Sequence, residues 1–260
     1  MNIKNCEELI SFIKKGDLKG IKKLVVKKKV DVNFKGFFGE MPLLSAIQSE
    51  FGLPAMKLLI ELGANVNQKN SYGMTPVMKA VEKSNLQALD MLIKSRAKLN
   101  FHHEMTGTTP LIYAAKEEKY DVLQRLILAG ADVNYPNKNG QTVLHVAVQK
   151  GDFALVKYLV EKAGVALNLT DFDGKTPLKM AIEMKNVEMF GYLLDKGAKI
   201  HLDSQNKKGV EQYIEEELEK NPLVLMYQKI LEKKQIEVKP VQIVQKTLNR
   251  RKMKGDREKD

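Results

Sequence analysis

Few side chains in this sequence could do covalent or metal chemistry, and their spacing does not bring them together. Cys6 is the one cysteine among 260 residues, so neither an intramolecular disulfide nor a multi-cysteine zinc or iron–sulfur centre can form. A catalytic thiol needs a base beside it. Nothing in the order of the residues ties Cys6 to a histidine, and a structural thiol is the expectation. His102, His103 and Glu104 supply metal-ligand types in a row. Adjacent loop histidines rarely converge on one ion without further ligands, so a polar hairpin tip is expected there and no metal. Gly36-Phe37-Phe38-Gly39 has neither the spacing nor the lysine-threonine ending of a phosphate-binding loop. Asn168-Leu169-Thr170 fits a glycosylation sequon, but Asn168 recurs at a fixed pitch along the chain and reads as structural. No nucleophile, base and orienting group form a set. The expectation is a non-enzyme with no catalytic residue, no metal and no cofactor.

The composition narrows the class further. Lys and Arg total 43 against 32 Asp and Glu, a formal charge of +11 with pI near 9.4, and 43% of residues are hydrophobic. That hydrophobic share is enough for a core. No apolar run approaches the roughly 18 residues of a membrane span. The opening MNIKNCEELISFIKK carries Glu7 and Glu8 and lacks the apolar stretch of a signal peptide. An intracellular, cytoplasmic protein is expected, with the nucleus as an alternative.

What must position these residues is a repeat. Gly39, Gly73, Gly107, Gly140, Gly174 and Gly209 recur at intervals of 34, 34, 33, 34 and 35. The first five open the phrases GEMPLLSA, GMTPVMKA, GTTPLIYA, GQTVLHVA and GKTPLKMA. A second phrase runs out of phase: VDVN to Asn33, GANVN to Asn67, RAKLN to Asn100, GADVN to Asn134, GVALN to Asn168, and a last echo, GAKIH, to His201. Two registers at one period define a repeat array.

Each part of the phrase has a physical task. Thr75, Thr109 and Thr176 can cap the first free amides of a helix. Pro76, Pro110 and Pro177 then fill the first helical turn, where a missing N–H costs nothing. A short apolar helix breaks at polar residues such as Lys83-Ser84-Asn85. A second helix follows with apolar positions at three- and four-residue spacing, as in Leu86, Leu89, Leu92 and Ile93. Gly63, Gly130 and Gly197 stand just beyond it, where a left-handed C-terminal cap favours glycine.

These phrases resemble those of the ankyrin-repeat family, whose pattern runs G-x-T-P-L-H-x-A and later G-A-D-V-N. The resemblance spans about residues 7–230. It implies an all-α solenoid of stacked helix–turn–helix units, with projecting β-hairpin loops and a curved, L-shaped outline. The units divide as an N-terminal capping repeat at 1–33 and five full repeats at 34–66, 67–99, 100–133, 134–167 and 168–200. A degenerate repeat at 201–233 and a basic tail at 234–260 complete the chain. Departures are local. Met41 replaces a capping threonine, Val143 a proline and Arg96 a capping glycine, and His145 alone keeps the family's histidine. One extra residue falls near Phe51–Pro54, another near Ala163–Gly164, and a third in the hairpin FHHEMTG.

The resemblance also implies the function: a non-enzymatic scaffold that binds a partner protein through hairpin tips and a concave inner-helix groove, as a monomer. Core positions are held by stacking while tips and groove are free to vary. The candidate partner-binding residues on the tips are Phe37, Phe38, Glu40, Tyr72, Met74, Met105 and Phe172, with Thr108 among the variable tip positions. Those on the inner helices are Lys83, Glu117, Lys150 and Met184. Aromatic and methionine side chains on tips bury much area for little lost rotamer freedom. Phe34, Phe101 and Tyr135, next to the repeated asparagines, are expected to pack. The asparagines themselves are expected to bond their own turns, the alternative being modification by an asparaginyl hydroxylase.

The charge is not spread evenly. Residues 1–30 hold nine basic and three acidic groups, residues 233–260 ten and four, and the rest 24 and 25. The repeat body is therefore close to neutral. Lys22, Lys23 and Lys27 to Lys29 are read as keeping the exposed end of the stack soluble. A second reading makes the chain an adaptor, of the kind pathogens deliver into hosts, whose basic ends dock on nucleic acid or anionic membrane while the repeats hold a protein. Arg250, Arg251, Lys252 and Lys254 form the candidate basic patch of that tail.

Overall fold

The computed structural model describes residues 3–36, 39–184 and 186–199. The expectations for 201–233, the tail and its patch Arg250, Arg251, Lys252 and Lys254 lie outside the described residues, as do those for Phe37 and Phe38. Contacts divide the chain into one compact unit up to Val146 and a second from Ala147. Among the described residues there are helices and turns but no strand, and no helix is long and apolar enough to cross a membrane.

The first unit begins with α1 (Ile3–Lys15) and α2 (Leu18–Lys22), the latter running on as a π-helical turn over Lys23–Lys27. Three helix pairs follow: α3 (Pro42–Gln48) with α4 (Gly52–Glu61), α5 (Pro76–Glu82) with α6 (Leu86–Lys94), and α7 (Pro110–Lys116) with α8 (Tyr120–Leu128). The pairs begin where capping chemistry places them. Thr75 and Thr109 accept the amides of Met78 and Ile112 at 3.2 and 3.1 Å, with proline next in line. Met41 offers no such bond to α3.

Within each pair one face is apolar. Ala46, Ala80 and Ala114 are buried at one place on successive first helices, so α3, α5 and α7 stack closely. Met56 and Leu59, Leu89 and Leu92, and Leu123 and Leu126 do the same on the second helices. The α1–α2 pair closes the start of the stack against α3 and α4, burying Leu9, Ile13, Ile21 and Leu24.

α9 (Val143–Gln149) passes from the first unit into the second. The second unit then holds α10 (Phe153–Tyr158), extended by a π-turn over Leu159–Ala163, and α11 (Pro177–Glu183) packed on α12 (Val187–Asp195). Thr176 caps α11 through the Lys179 amide at 3.2 Å. On α12 the Tyr192 hydroxyl donates to Glu161 at 3.1 Å. Burial, with the hydrogen bond to Glu161 and its charge, pushes the phenol up to about 12.

The extra residues are absorbed in two ways. The additional residue near Phe51–Pro54, expected in the turn between the helices, lengthens the second helix. Three residues separate α3 from α4 as they do α5 from α6, and α4 begins at Gly52 and runs ten residues against nine in α6 and α8. The one expected near Ala163–Gly164 instead widens the helix into the π-turn, closed by left-handed Gly164 at φ 69°. A π-turn is the form a one-residue insertion takes inside a helix.

Candidate functional site

The hairpins that carry the candidate tip residues are built by a side chain the sequence reading passed over. Asn70 accepts the amides of Tyr72 and Met74 at 3.0 and 2.9 Å. Asn137 holds those of Asn139 and Gln141, both at 2.9 Å. Asp171, in the second unit, holds those of Asp173 and Lys175 at 3.0 and 2.8 Å. His103 occupies the same place in the longer hairpin, where the His103 amide donates to Thr108 five residues on, and its Nδ1 accepts the Thr106 amide at 3.3 Å. His103 is thus a buried turn residue rather than a free tip, and no His, Cys, Asp and Glu cluster fit for a metal occurs among the described residues.

The repeated asparagines depart from expectation. Turn bonds of the self-closing kind are made two residues earlier, where Asp31, Asn65 and Asp132 accept the amides of Asn33, Asn67 and Asn134. Asn33, Asn67 and Asn100 instead reach forward and accept the amides of Asn65, Lys98 and Asp132 at 2.7, 2.7 and 3.0 Å. Asn168 does so with Lys199 at 2.7 Å. The carboxamide has two lone pairs and a free end, so it can bridge to the next repeat while its own turn is closed by a neighbour.

Neighbouring hairpins touch. A β-carbon on Gly73 would stand 2.6 Å from the Glu104 β-carbon, and one on Gly39 would stand 2.7 Å from the Tyr72 ring. The Tyr72 ring therefore leans on the preceding hairpin and is only 49% exposed. Met105, at 72%, stands free on the next tip. Glu40 is exposed, Met74 half-buried, and Thr108 is buried, which removes it from the tip surface because the longer hairpin turns it inward. Phe34 is buried and Tyr135 stacks on His102 with centroids 5.2 Å apart, so these two pack as expected, while Phe101 is half-buried. Beside that stack the hairpins frame a concavity of about 510 Å³, lined among others by Asn67, Lys69, Lys98 and Lys138. Lys69 sits 2.9 Å from Glu104, and its hydrogen bond and charge hold that carboxyl below the usual range.

In the first unit Lys83 and Glu117 are the exposed C-cap residues of α5 and α7. Lys83 stands 3.5 Å from Glu82, which also takes Lys79 at 2.9 Å. Burial raises the Glu82 carboxyl, but the bond and charge of Lys79 prevail and hold it low. On α7 stands half-buried Tyr113, a residue the reading of the sequence missed. Burial, then the charges of Glu117 and Glu82, push its phenol up, and the Lys119 ammonium stands 5.7 Å from its ring centroid. The signal was an aromatic at the unspecified place of the T-P-L-x-x-A phrase.

In the second unit Lys150 and Met184 are exposed and Phe172 is 78% exposed on its hairpin. A feature with no signal in the repeat phrase lies on the other side of the first unit. α6 and α8 frame a concavity of about 610 Å³ beside exposed Leu128, where one Arg125 nitrogen reaches both Asp90 oxygens at 2.9 Å.

The sequence matches a family model for ankyrin repeats in three copies, over residues 9–103, 49–137 and 111–204. A solved ankyrin repeat domain from Acinetobacter baumannii is 31% identical, with TM-score 0.63, covering 74% of this chain and 98% of that one. A chain in the structure of a predatory endopeptidase from Bdellovibrio bacteriovorus in complex with an immunity protein is 28% identical, with TM-score 0.60, covering 73% and 98%. No curated protein matches the sequence.

Proposed function

This chain belongs to the ankyrin-repeat family, and from that premise we propose that it is a non-enzymatic scaffold that seats a partner protein on its hairpin tips and inner helices. Ankyrin repeats generally mediate protein–protein interaction. The observation that carries the reading is the contrast between a closed core and open apolar tips. Met105 is 72% exposed while Leu111, Ala114, Leu123 and Leu126 of the same repeat are sealed. Beneath the tips, Tyr113 with Lys79, Glu82, Lys83 and Glu117 supplies an aromatic centre in a mixed-charge rim, the composition of an interface hot spot. In the second unit Phe172, Lys150 and Met184 take the corresponding roles. That a similar chain occurs in a complex of an endopeptidase with an immunity protein agrees with a protein partner.

The test is affinity capture from native cells with the full chain and with two double variants, Tyr72→Ala/Met105→Ala and Phe37→Ala/Phe38→Ala. Loss of a retained protein from either variant, with unfolding midpoints unchanged, supports the assignment. Identical retained proteins from all three would place the interface elsewhere.

A further inference from the structure

The α1–α2 pair carries a concentrated positive charge. Nine lysines and no arginine lie between residues 3 and 29, against Glu7, Glu8 and Asp17. All nine lysines are exposed. Little opposes them: Lys28 stands 3.7 Å from Glu8, and Asp17 is turned onto the Gly20 amide at 2.9 Å.

The arrangement on α2 matters as much as the charge. Gly20, Ile21 and Leu24 are buried, which turns Leu18, Lys22 and Val26 outward at a spacing of four. Leu18 is 39% and Val26 43% exposed, with Lys19 and Lys23 beside them, also exposed. The stripe sets branched apolar side chains among lysines, the mixed composition of a face that lies on a membrane surface. Phosphate contacts on nucleic acid are supplied by the ammonium groups alone and leave that stripe without a role. A lipid surface uses both kinds of residue: long lysine stems carry the charge to anionic headgroups, while apolar side chains enter the boundary beneath.

We propose that the outer face of the α1–α2 pair docks on an anionic membrane surface, its lysines on the headgroup charges and Leu18 and Val26 in the layer below them. This is a role separate from partner binding at the hairpins. The attachment is peripheral and weakens with salt, because it is the sum of screened charges and a small apolar area.

The test is co-sedimentation of the full chain with vesicles of phosphatidylcholine containing about 30% phosphatidylserine, near 0.1 M salt. Binding is expected to these vesicles and not to pure phosphatidylcholine. Lys19→Glu/Lys22→Glu/Lys23→Glu lowers it on the order of 100-fold or more. Leu18→Ser/Val26→Ser lowers it about tenfold at unchanged charge. All five positions are exposed, and matching thermal unfolding checks that the variants fold. Binding that survives this charge reversal undiminished overturns the proposal. So does an absence of vesicle binding. Equal retention of a short DNA duplex by the wild type and the serine variant, with vesicle binding also equal, would mark the face as a nucleic-acid surface instead.

Discussion

The side-chain oxygen of Asn67 accepts the amide hydrogen of Lys98 at 2.7 Å, across 31 residues of chain. Asn33, Asn100 and Asn168 make the same forward bond at their own places, so a residue that looks like turn chemistry is a tie between repeats. Asn67→Ala is expected to cost about 1 kcal/mol, the usual worth of one intramolecular hydrogen bond. Asn67→Asp, which keeps the accepting oxygen, costs less. Urea unfolding of the two variants checks this, and equal losses would mean that the forward bond is not what stabilises the loop.

Arg96 holds a left-handed backbone at φ 57°, in the place where Gly63 and Gly130 stand at 92° and 86°. The conformation crowds a β-carbon that glycine lacks. Arg96→Gly is expected to raise stability by about 1 kcal/mol, read as a higher unfolding midpoint with an unchanged slope in denaturant. A lower midpoint would show that the arginine side chain makes up for its backbone.

Lys119 precedes α8 where Asn85 precedes α6. Asn85 caps its own helix through the Ala88 amide at 2.9 Å and donates to the Ile47 carbonyl at 3.1 Å. Lys119 cannot accept. Its ammonium donates to the Val81 carbonyl at 3.1 Å and to that of Glu82, at the negative end of α5. Lys119→Ala strips those carbonyls and is expected to cost about 1–2 kcal/mol, whereas Lys119→Asn, which can do what Asn85 does, recovers most of it. Thermal unfolding of both variants decides the point, and an alanine variant as stable as wild type would refute it.

Burial holds the His103 imidazole below its usual value of 6.5. Glu104 draws it upward, while Lys138 and Lys69 add to the depression. The unfolded chain therefore takes up this proton before the folded one. The stability this histidine protects is full above 6.5 and drains away as pH falls toward the folded value, at no more than about 1.4 kcal/mol per pH unit. His103→Asn puts at this hairpin the side chain used at Asn70 and Asn137 and should flatten the slope between pH 7 and 5. Unfolding midpoints at several pH values report it, with an unchanged slope counting against the account.

What could be read from the sequence divides along physical lines. The caps at Thr75, Thr109 and Thr176 were legible because an N-cap acts within three residues. The apolar stripes were legible because a helix repeats its faces every few residues. The partner of Asn67 was not, because it lies a full repeat away and its own turn is closed by Asn65. The turn role of His103 was hidden by its type, since Asn and Asp fill that place in the neighbouring hairpins. Tyr113 was overlooked because its position in the phrase is unspecified. Tyr72 was placed on a tip, where it is, but its lean onto Gly39 depends on the absence of a β-carbon in the preceding hairpin. The described residues put Met105 and Phe172 in the open, and leave partner recognition by any of these tips to the capture experiment.

The π-turn over Leu159–Ala163 carries a meaning for how such a gene can change. An inserted codon in the middle of an ordinary helix rotates everything after it by about 100°, turning a buried stripe outward. Here the surplus residue is swallowed as a local bulge before left-handed Gly164, and Val165 is still buried. The ends of the second helices are thus places where the reading frame can gain or lose three bases and leave the inheritance of each later repeat's faces intact.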